Sequence, residues 1–190
     1  MSLVTLRIIP ICWGIFFIVW VLAAIFTKRT VYHQTGAERL RYMGVIVIGW
    51  YLLFRGNRFP YPFNVHIIPH TDAILLVSSV LCVCGLAFCL WARAVLGRNW
   101  SGTVTLKENH ELIVRGPYRL VRHPIYTGLL AMLFATAIQQ GHIAAMLGFL
   151  LTFVSFWIKS SFEEAVMTRQ FPEDYPAYRK QAKRIIPFLL

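Results

Sequence analysis

The sequence predicts an all-α integral membrane protein, a helical bundle of about five transmembrane helices. Of its 190 residues, 57% are hydrophobic and only 14% are charged, whereas a soluble domain carries about 25% charged residues. Long uncharged runs recur along the chain, and Lys and Arg outnumber Asp and Glu by 19 to 8. In so apolar a chain, this excess indicates the cytoplasmic ends of membrane helices rather than a nucleic-acid surface.

Three of the predicted spans lie in the first half of the chain. Residues 8–27 carry no charge and would form a helix of about 30 Å, the thickness of the hydrocarbon core. Residues 42–54 form a shorter run between two arginines, which crosses fully only if the arginines snorkel or the bilayer thins. Residues 73–92 form a clear third span.

The fourth and fifth spans are predicted as a helical hairpin. Residues 125–158 are uncharged, about 51 Å as one helix, which is too long for a single crossing. The polar cluster Gln139-Gln140-Gly141-His142 divides this run into two short arms. No metal site is predicted, because the four cysteines lie in apolar runs and Pro69 separates His66 from His70.

The positive charges predict the topology. If segments 28–41 and 93–122 and the tail after residue 158 share one side, that side holds 16 Lys and Arg, and the other side holds 3. This asymmetry places the tail and the loop before the hairpin in the cytoplasm and the N-terminus outside. A bacterial inner membrane and the endoplasmic reticulum both fit this prediction.

A polar motif precedes the hairpin. It contains Gly116-Pro117, which breaks regular structure, and then Arg122-His123-Pro124. Pro124 disfavours a helical conformation at His123 and suits the first turn of the fourth span. The free amides at such a helix start can accept an anionic group. Arg and aromatic residues at a helix end also fit an ordinary interfacial anchor.

A second polar motif follows the hairpin. Lys159 and Glu163 are four residues apart and should share a helix face. Glu163 and Glu164 are adjacent carboxylates in a chain with few acidic residues. They fit either a solvated helix end or a site for a cationic or hydroxyl-bearing ligand.

Together the two motifs resemble the isoprenylcysteine carboxyl methyltransferase family, integral membrane enzymes that use S-adenosylmethionine. The similarity lies in Gly-Pro-Tyr-x-x-Val-Arg-His-Pro-x-Tyr-x-Gly at residues 116–128 and in Glu-Glu with Phe-x-x-x-Tyr-x-x-Tyr at residues 163–178. Leu-Gly-x-Asn-Trp-Ser at residues 96–101 also fits. The resemblance implies a catalytic core at residues 96–190, made of the cytoplasmic loop, the hairpin and the tail, preceded by three helices in residues 1–95.

The resemblance also implies which residues act. The expected contacts of the S-adenosylmethionine cofactor are His110, Glu111, Leu112, Ile113, Tyr118, Arg122, His123, Pro124, Ile125, Tyr126 and Glu163. Lys159 stands where the family commonly has an arginine that meets the substrate, so a point charge replaces a bidentate fork. Lys159 and Glu164 are the expected catalytic residues: Lys159 would orient a carboxylate, and Glu164 or His123 would be the base for an amine.

The implied reaction is methyl transfer to a lipophilic or amphiphilic acceptor, small or lipidated, that enters from among the membrane lipids. The carboxylate of a prenylated cysteine is one candidate; it is already ionised at pH 7 and needs no base. One alternative is a phospholipid N-methyltransferase-like enzyme. Another is an NADPH-dependent sterol-type reductase, which shares Arg-His-Pro but normally has more spans. A third, a non-catalytic scaffold or transporter subunit, predicts intramembrane charges that four of the five spans lack.

Overall fold

The computed structural model shows a helical bundle with one short β-ribbon, which confirms the predicted fold class. It describes residues 3–25, 30–33, 36–97, 100, 105–107 and 112–189. The elements are α1 (Leu3–Ala24), β1 (Thr30–His33), α2 (Gly36–Arg55), α3 (Asp72–Leu96), β2 (Thr105–Lys107), α4 (Pro124–Gln140), α5 (Ile143–Gln170) and α6 (Asp174–Gln181).

Each of the five predicted spans corresponds to a long helix. Helices α1, α3 and α5 are long and apolar enough to cross a membrane. Helix α4 has 17 residues, about 26 Å. Helix α2 has 20 residues, about 30 Å, and it begins at Gly36 rather than at Tyr42. The uncharged run of residues 42–54 underestimates the length of α2, because the helix continues into charged residues beyond its apolar part.

The polar cluster at residues 139–142 turns the chain between α4 and α5, as predicted. Gly141 has a positive φ of 72°, and its amide donates to the Ala137 carbonyl. His142 then caps α5, because its Nδ1 accepts a hydrogen bond of 3.0 Å from the Ala145 amide. The amide of Ile67 donates to the Gly141 carbonyl at 2.8 Å. The loop between α2 and α3 therefore meets the hairpin turn at one end of the bundle.

Two close helix crossings hold the hairpin between its neighbours. Gly85 of α3 faces Gly128 of α4, where an added Cβ on Gly128 would lie 2.6 Å from the Gly85 carbonyl oxygen. Gly49 of α2 faces Gly148 of α5, where an added Cβ on Gly49 would lie 2.9 Å from the Gly148 carbonyl oxygen. Helix α3 thus packs against the first arm of the hairpin and helix α2 against the second. Helix α1 packs on α3, and Trp13 donates its indole N–H to Thr136 of α4 at 3.0 Å.

The three basic segments meet at the other end of the bundle, which agrees with the grouping that the charges predicted. Strand β1 follows α1 and pairs antiparallel with β2, which follows α3. The chain after α6 runs beside the start of α4, where the amides of Arg122 and His123 donate to the carbonyls of Lys183 and Arg184 at 2.7 and 3.0 Å. This end of the molecule carries the residues that the sequence motifs singled out.

Candidate active site

The start of α4 sets the geometry of the site. His123 is the N-cap residue of α4, with φ −122° and ψ 61°, and Pro124 occupies the first turn. Both features confirm the expectation from the Arg-His-Pro motif. The His123 ring stacks on the Tyr126 ring, with centroids 5.4 Å apart and planes 5° from parallel. Tyr126 stacks in turn on Phe156 of α5, with centroids 4.8 Å apart.

Glu163, near the end of α5, faces this aromatic stack. Its carboxylate accepts a hydrogen bond of 2.5 Å from the Tyr126 hydroxyl. The same carboxylate lies 3.3 Å from His123 Nδ1 and 3.9 Å from Lys159 Nζ. The Glu163 side chain is 22% exposed, and both of its carboxylate oxygens lie near polar groups of the site. The predicted shared face of Lys159 and Glu163 is confirmed.

Glu164 points instead towards the C-terminal segment and is only 4% exposed. Its carboxylate accepts hydrogen bonds from Arg122 Nε at 2.8 Å and from Arg184 Nη2 at 3.0 Å. Arg179 Nε and His123 Nε2 lie 3.6 and 3.3 Å away. A carboxylate surrounded by three guanidinium groups is stabilised in its charged form and is a poor proton acceptor. This geometry favours a binding and positioning role for Glu164 over that of a base.

His123 lies between the two carboxylates, one at each ring nitrogen. Burial alone would lower the pKa of His123, but its hydrogen bonds to Glu163 and Glu164 outweigh burial and raise that pKa above the ordinary value. Both ring nitrogens can donate only when the ring is protonated. The arrangement therefore favours a cationic His123 that binds two anions rather than a free base.

Lys159 is a buried ammonium, 8% exposed. Its Nζ lies 5.3 Å from the centroid of the Tyr126 ring and 5.8 Å from that of the Tyr42 ring, so it is within cation–π distance of both rings. Tyr42 belongs to α2 and is fully buried. Nothing in the sequence pattern predicted that α2 would supply a residue to this region.

Two more predicted contacts, Tyr118 and Leu112, precede α4 and pack near α6. Tyr118 is buried in a 3₁₀ turn, and its carbonyl accepts a hydrogen bond of 2.5 Å from the Tyr178 hydroxyl of α6. Burial raises the pKa of Tyr118, which keeps its hydroxyl neutral. Leu112 packs against Tyr175 and Tyr178.

Three more of the predicted contacts are Ile125, Ile113 and Arg122. Ile125 packs against the helical core, and its carbonyl accepts a hydrogen bond of 3.4 Å from Cys89 Sγ. Ile113 is partly buried ahead of the 3₁₀ turn, and Arg122 binds Glu164 and tail carbonyls. His110 and Glu111 lie outside the described residues.

Two tail arginines belong to the site although the sequence pattern did not single them out as site residues. Besides binding Glu164, Arg184 lies over the Trp157 ring at 4.5 Å and donates to Ser161 Oγ at 3.1 Å. Arg179 approaches Glu164 from α6. Cytoplasmic tails are commonly basic, so these charges carried no signal of their own beyond topology.

The fold and the site define a helical membrane protein with a cluster of ionised and aromatic side chains at one end of the bundle. The family model described as phospholipid methyltransferase matches residues 73–174, more than half of the chain. The chain belongs to this family and is an integral membrane protein.

Curated relatives agree with the family to which the motifs pointed. A probable protein-S-isoprenylcysteine O-methyltransferase of Oryza sativa subsp. indica is 27% identical over 116 residues, 60% of this chain and 61% of the relative. A protein-S-isoprenylcysteine O-methyltransferase of Schizosaccharomyces pombe is 32% identical over 101 residues, 52% of this chain and 43% of the relative. The matched part thus spans about half of each relative. These matches confirm the resemblance drawn from residues 116–128 and 163–178.

Proposed function

We propose that this protein is a membrane methyltransferase that moves a methyl group from S-adenosylmethionine to the carboxylate of a lipid-linked acceptor. The leading acceptor is a prenylated cysteine. The observation that carries the proposal is the contact between Lys159, Glu163 and Tyr126. These side chains occupy the positions where the family resemblance expects acceptor and donor to meet, and the names of the relatives agree with the reaction.

The residues around Glu163 fit a cationic donor. Glu163 offers a partly exposed carboxylate beside the Tyr126 ring, and a carboxylate attracts a cation. When bound, S-adenosylmethionine would supply a methyl group from a cationic sulfur: the acceptor oxygen would bond to the methyl carbon as the carbon–sulfur bond breaks, and S-adenosylhomocysteine would leave. The task of the chain is to align the two reactants and to exclude water. Glu163 and Tyr126 would bind the donor, and Tyr118 would close the site from the 3₁₀ turn.

The charges at the site favour a carboxylate acceptor over an amine. The buried ammonium of Lys159 attracts an anion and repels a protonated amine. A carboxylate is ionised at pH 7 and needs only orientation. An amine would need a base, but Glu164 is bound by three arginines and His123 lies between two carboxylates. A phospholipid N-methyltransferase is therefore the second candidate, supported by the description of the family model.

The position of the site suggests how the two reactants enter. It lies at the basic end of the bundle, and we propose that this end faces the cytoplasm because it carries most of the Lys and Arg. The polar donor would enter from the cytoplasm, and the lipid chain of the acceptor would enter sideways from the bilayer. The catalytic core would comprise residues 96–190, with the preceding helices as its support in the membrane.

The donor assignment predicts that Glu163→Ala weakens cofactor binding. Loss of a charged hydrogen-bond partner should lower the affinity for S-adenosylhomocysteine roughly tenfold or more. Titration calorimetry in detergent measures this affinity, and Glu173→Ala removes an exposed carboxylate as the matched control. If NADPH binds and S-adenosylhomocysteine does not, the reductase is favoured. Unchanged affinity in Glu163→Ala contradicts the assignment of Glu163.

The acceptor assignment predicts that Lys159→Ala raises the acceptor KM roughly tenfold or more, because a charged hydrogen bond is lost. Lys159→Arg should retain the KM, since a guanidinium group also binds a carboxylate. Transfer of a labelled methyl group to an N-acylated S-prenylcysteine, compared with phosphatidylethanolamine in vesicles, measures both. Faster methylation of the phospholipid would favour the second candidate. An acceptor KM unaltered in both variants would exclude the role of Lys159.

A further inference from the structure

We propose that Tyr42 of α2 is a positioning residue for Lys159. Together with the Tyr126 ring, the Tyr42 ring holds the Lys159 ammonium at the place where the acceptor carboxylate would bind. Tyr42 lies outside residues 73–174, the part that matches the family model. The role of the acceptor in this inference rests on the proposed function, whereas the contact between the ring and the ammonium does not.

The Lys159 ammonium lies near two aromatic rings and one carboxylate. Lys159 Nζ lies 5.8 Å from the Tyr42 centroid, 5.3 Å from the Tyr126 centroid and 3.9 Å from Glu163 Oε1. A cation within about 6 Å of an aromatic face is attracted by the ring, and the attraction grows when water is excluded. Tyr42 is fully buried and Lys159 is 8% exposed, so water is largely excluded here.

The fold holds Tyr42 firmly against α5. Ser155 Oγ donates to the Tyr42 carbonyl at 3.2 Å, and Ser155 lies one helical turn before Lys159 on the same face. The Tyr42 ring also lies 6.4 Å from the Phe162 ring, just beyond Lys159. Because α2 and α5 cross closely at Gly49 and Gly148, the ring has a fixed position relative to the ammonium.

Unlike Glu163 and Tyr126, Tyr42 contacts the Lys159 ammonium without being a proposed contact of the donor. The Glu163 carboxylate is shared with Tyr126 and His123, and in the proposed reaction both Glu163 and Tyr126 also serve the donor. A lysine side chain has four rotatable bonds and can follow its strongest partner. The Tyr42 ring belongs to α2 and is not among the proposed donor contacts, so its contact with the ammonium does not depend on the donor. Loss of this ring should therefore affect the acceptor far more than the donor.

The test changes the electrostatics of the ring while retaining its shape. Tyr42→Phe keeps the aromatic face, and trifluorophenylalanine at the same position withdraws charge from that face. Compared with Tyr42→Phe, which serves as the reference, we expect both the fluorinated ring and Tyr42→Leu to raise the acceptor KM roughly 2- to 30-fold. The affinity for S-adenosylhomocysteine should stay unchanged. Tyr51→Leu, an exposed tyrosine of the same helix, is the matched control.

A double-mutant cycle with Lys159→Met decides whether the effect acts through the ammonium. The fluorinated ring should raise the acceptor KM only when Lys159 is present, and it should lower Tm only in that background. An equal effect in both backgrounds, or none in either, overturns the proposal. The Tm cycle needs no substrate, so coupling in Tm without methyl transfer contradicts the proposed function alone and supports the contact.

Discussion

At the scale of single residues, two adjacent carboxylates have different environments because successive helical positions point about 100° apart. Glu163 turns towards α4, is partly exposed, and is the proposed partner of a cationic ligand. Glu164 turns towards the tail and binds Arg122, Arg179 and Arg184. One residue can therefore serve a ligand while the next fastens the C-terminal segment to α5.

The position of His123 between these carboxylates predicts a pH dependence of stability. The folded pKa of His123 is raised above 6.5, so its contribution is fully present below about pH 6.5 and is lost as the pH rises through the folded pKa. The Tm of the native protein should therefore exceed that of His123→Gln most at about pH 6, and the difference should shrink towards pH 9. Scanning calorimetry, or a thermal shift assay whose dye does not react with thiols, measures the Tm of the native protein and of His123→Gln across this pH range.

The matched control for this pH profile is His66→Gln, which removes an exposed histidine at the opposite end of the bundle. Its Tm difference from the native protein should lack the decline that His123→Gln shows. A difference for His123→Gln that is constant, or that grows with pH, would contradict the imidazolium between two carboxylates.

The site could be predicted where its signal is local in sequence. The i,i+4 spacing of Lys159 and Glu163 and the effect of Pro124 on His123 depend on neighbouring residues, and both are confirmed. The contacts of Tyr42 and Arg184 depend on packing between segments far apart in the chain. A single sequence does not reveal such contacts. Polar and aromatic residues are common at membrane boundaries, so their presence does not show which of them meet in the fold.

At the scale of elements, the helices follow from charge and polarity, while their pairing follows from small residues. The Gly141-His142 turn was predictable because polar residues interrupt an uncharged run too long for one crossing. The partners of the hairpin were not. They depend on glycines that let backbones approach, as at the crossing of Gly49 and Gly148. Glycine is common in membrane helices, so its position alone does not name the partner helix.

The close crossing of α2 and α5 predicts that Gly148→Ala is destabilising. A Cβ at Gly148 would lie 2.7 Å from the Leu53 amide nitrogen, which is backbone and cannot move aside alone. Overpacking of this kind costs about 1–3 kcal/mol, so Tm should fall. Gly44→Ala on α2 is the control, since nothing lies within 4 Å of its added Cβ. An unchanged Tm in Gly148→Ala would indicate a looser crossing.

At the scale of the whole molecule, the two ends of the bundle differ in charge, and the candidate site lies at the more basic end. The end with the outer loop and the hairpin turn holds 3 of the 19 Lys and Arg, if the segments are grouped as predicted. The other end holds the remaining 16 together with the candidate site. The charges that orient a membrane protein during insertion therefore lie at the same end as the proposed site, where a water-soluble donor would bind beside a carboxylate. Orientation and access to the donor follow from the same distribution.

This distribution predicts which end faces the cytoplasm, and single cysteines can test it. Cys84 is exposed and the other three cysteines are buried, so Cys84 is replaced by Ala. Asn64→Cys lies in the exposed outer loop and Lys180→Cys on exposed α6. In intact bacteria an impermeant maleimide should label Asn64→Cys directly, and Lys180→Cys only after the inner membrane is opened, because the basic end stays inside. The reverse pattern would place the site outside and remove the cytoplasmic donor from the proposal.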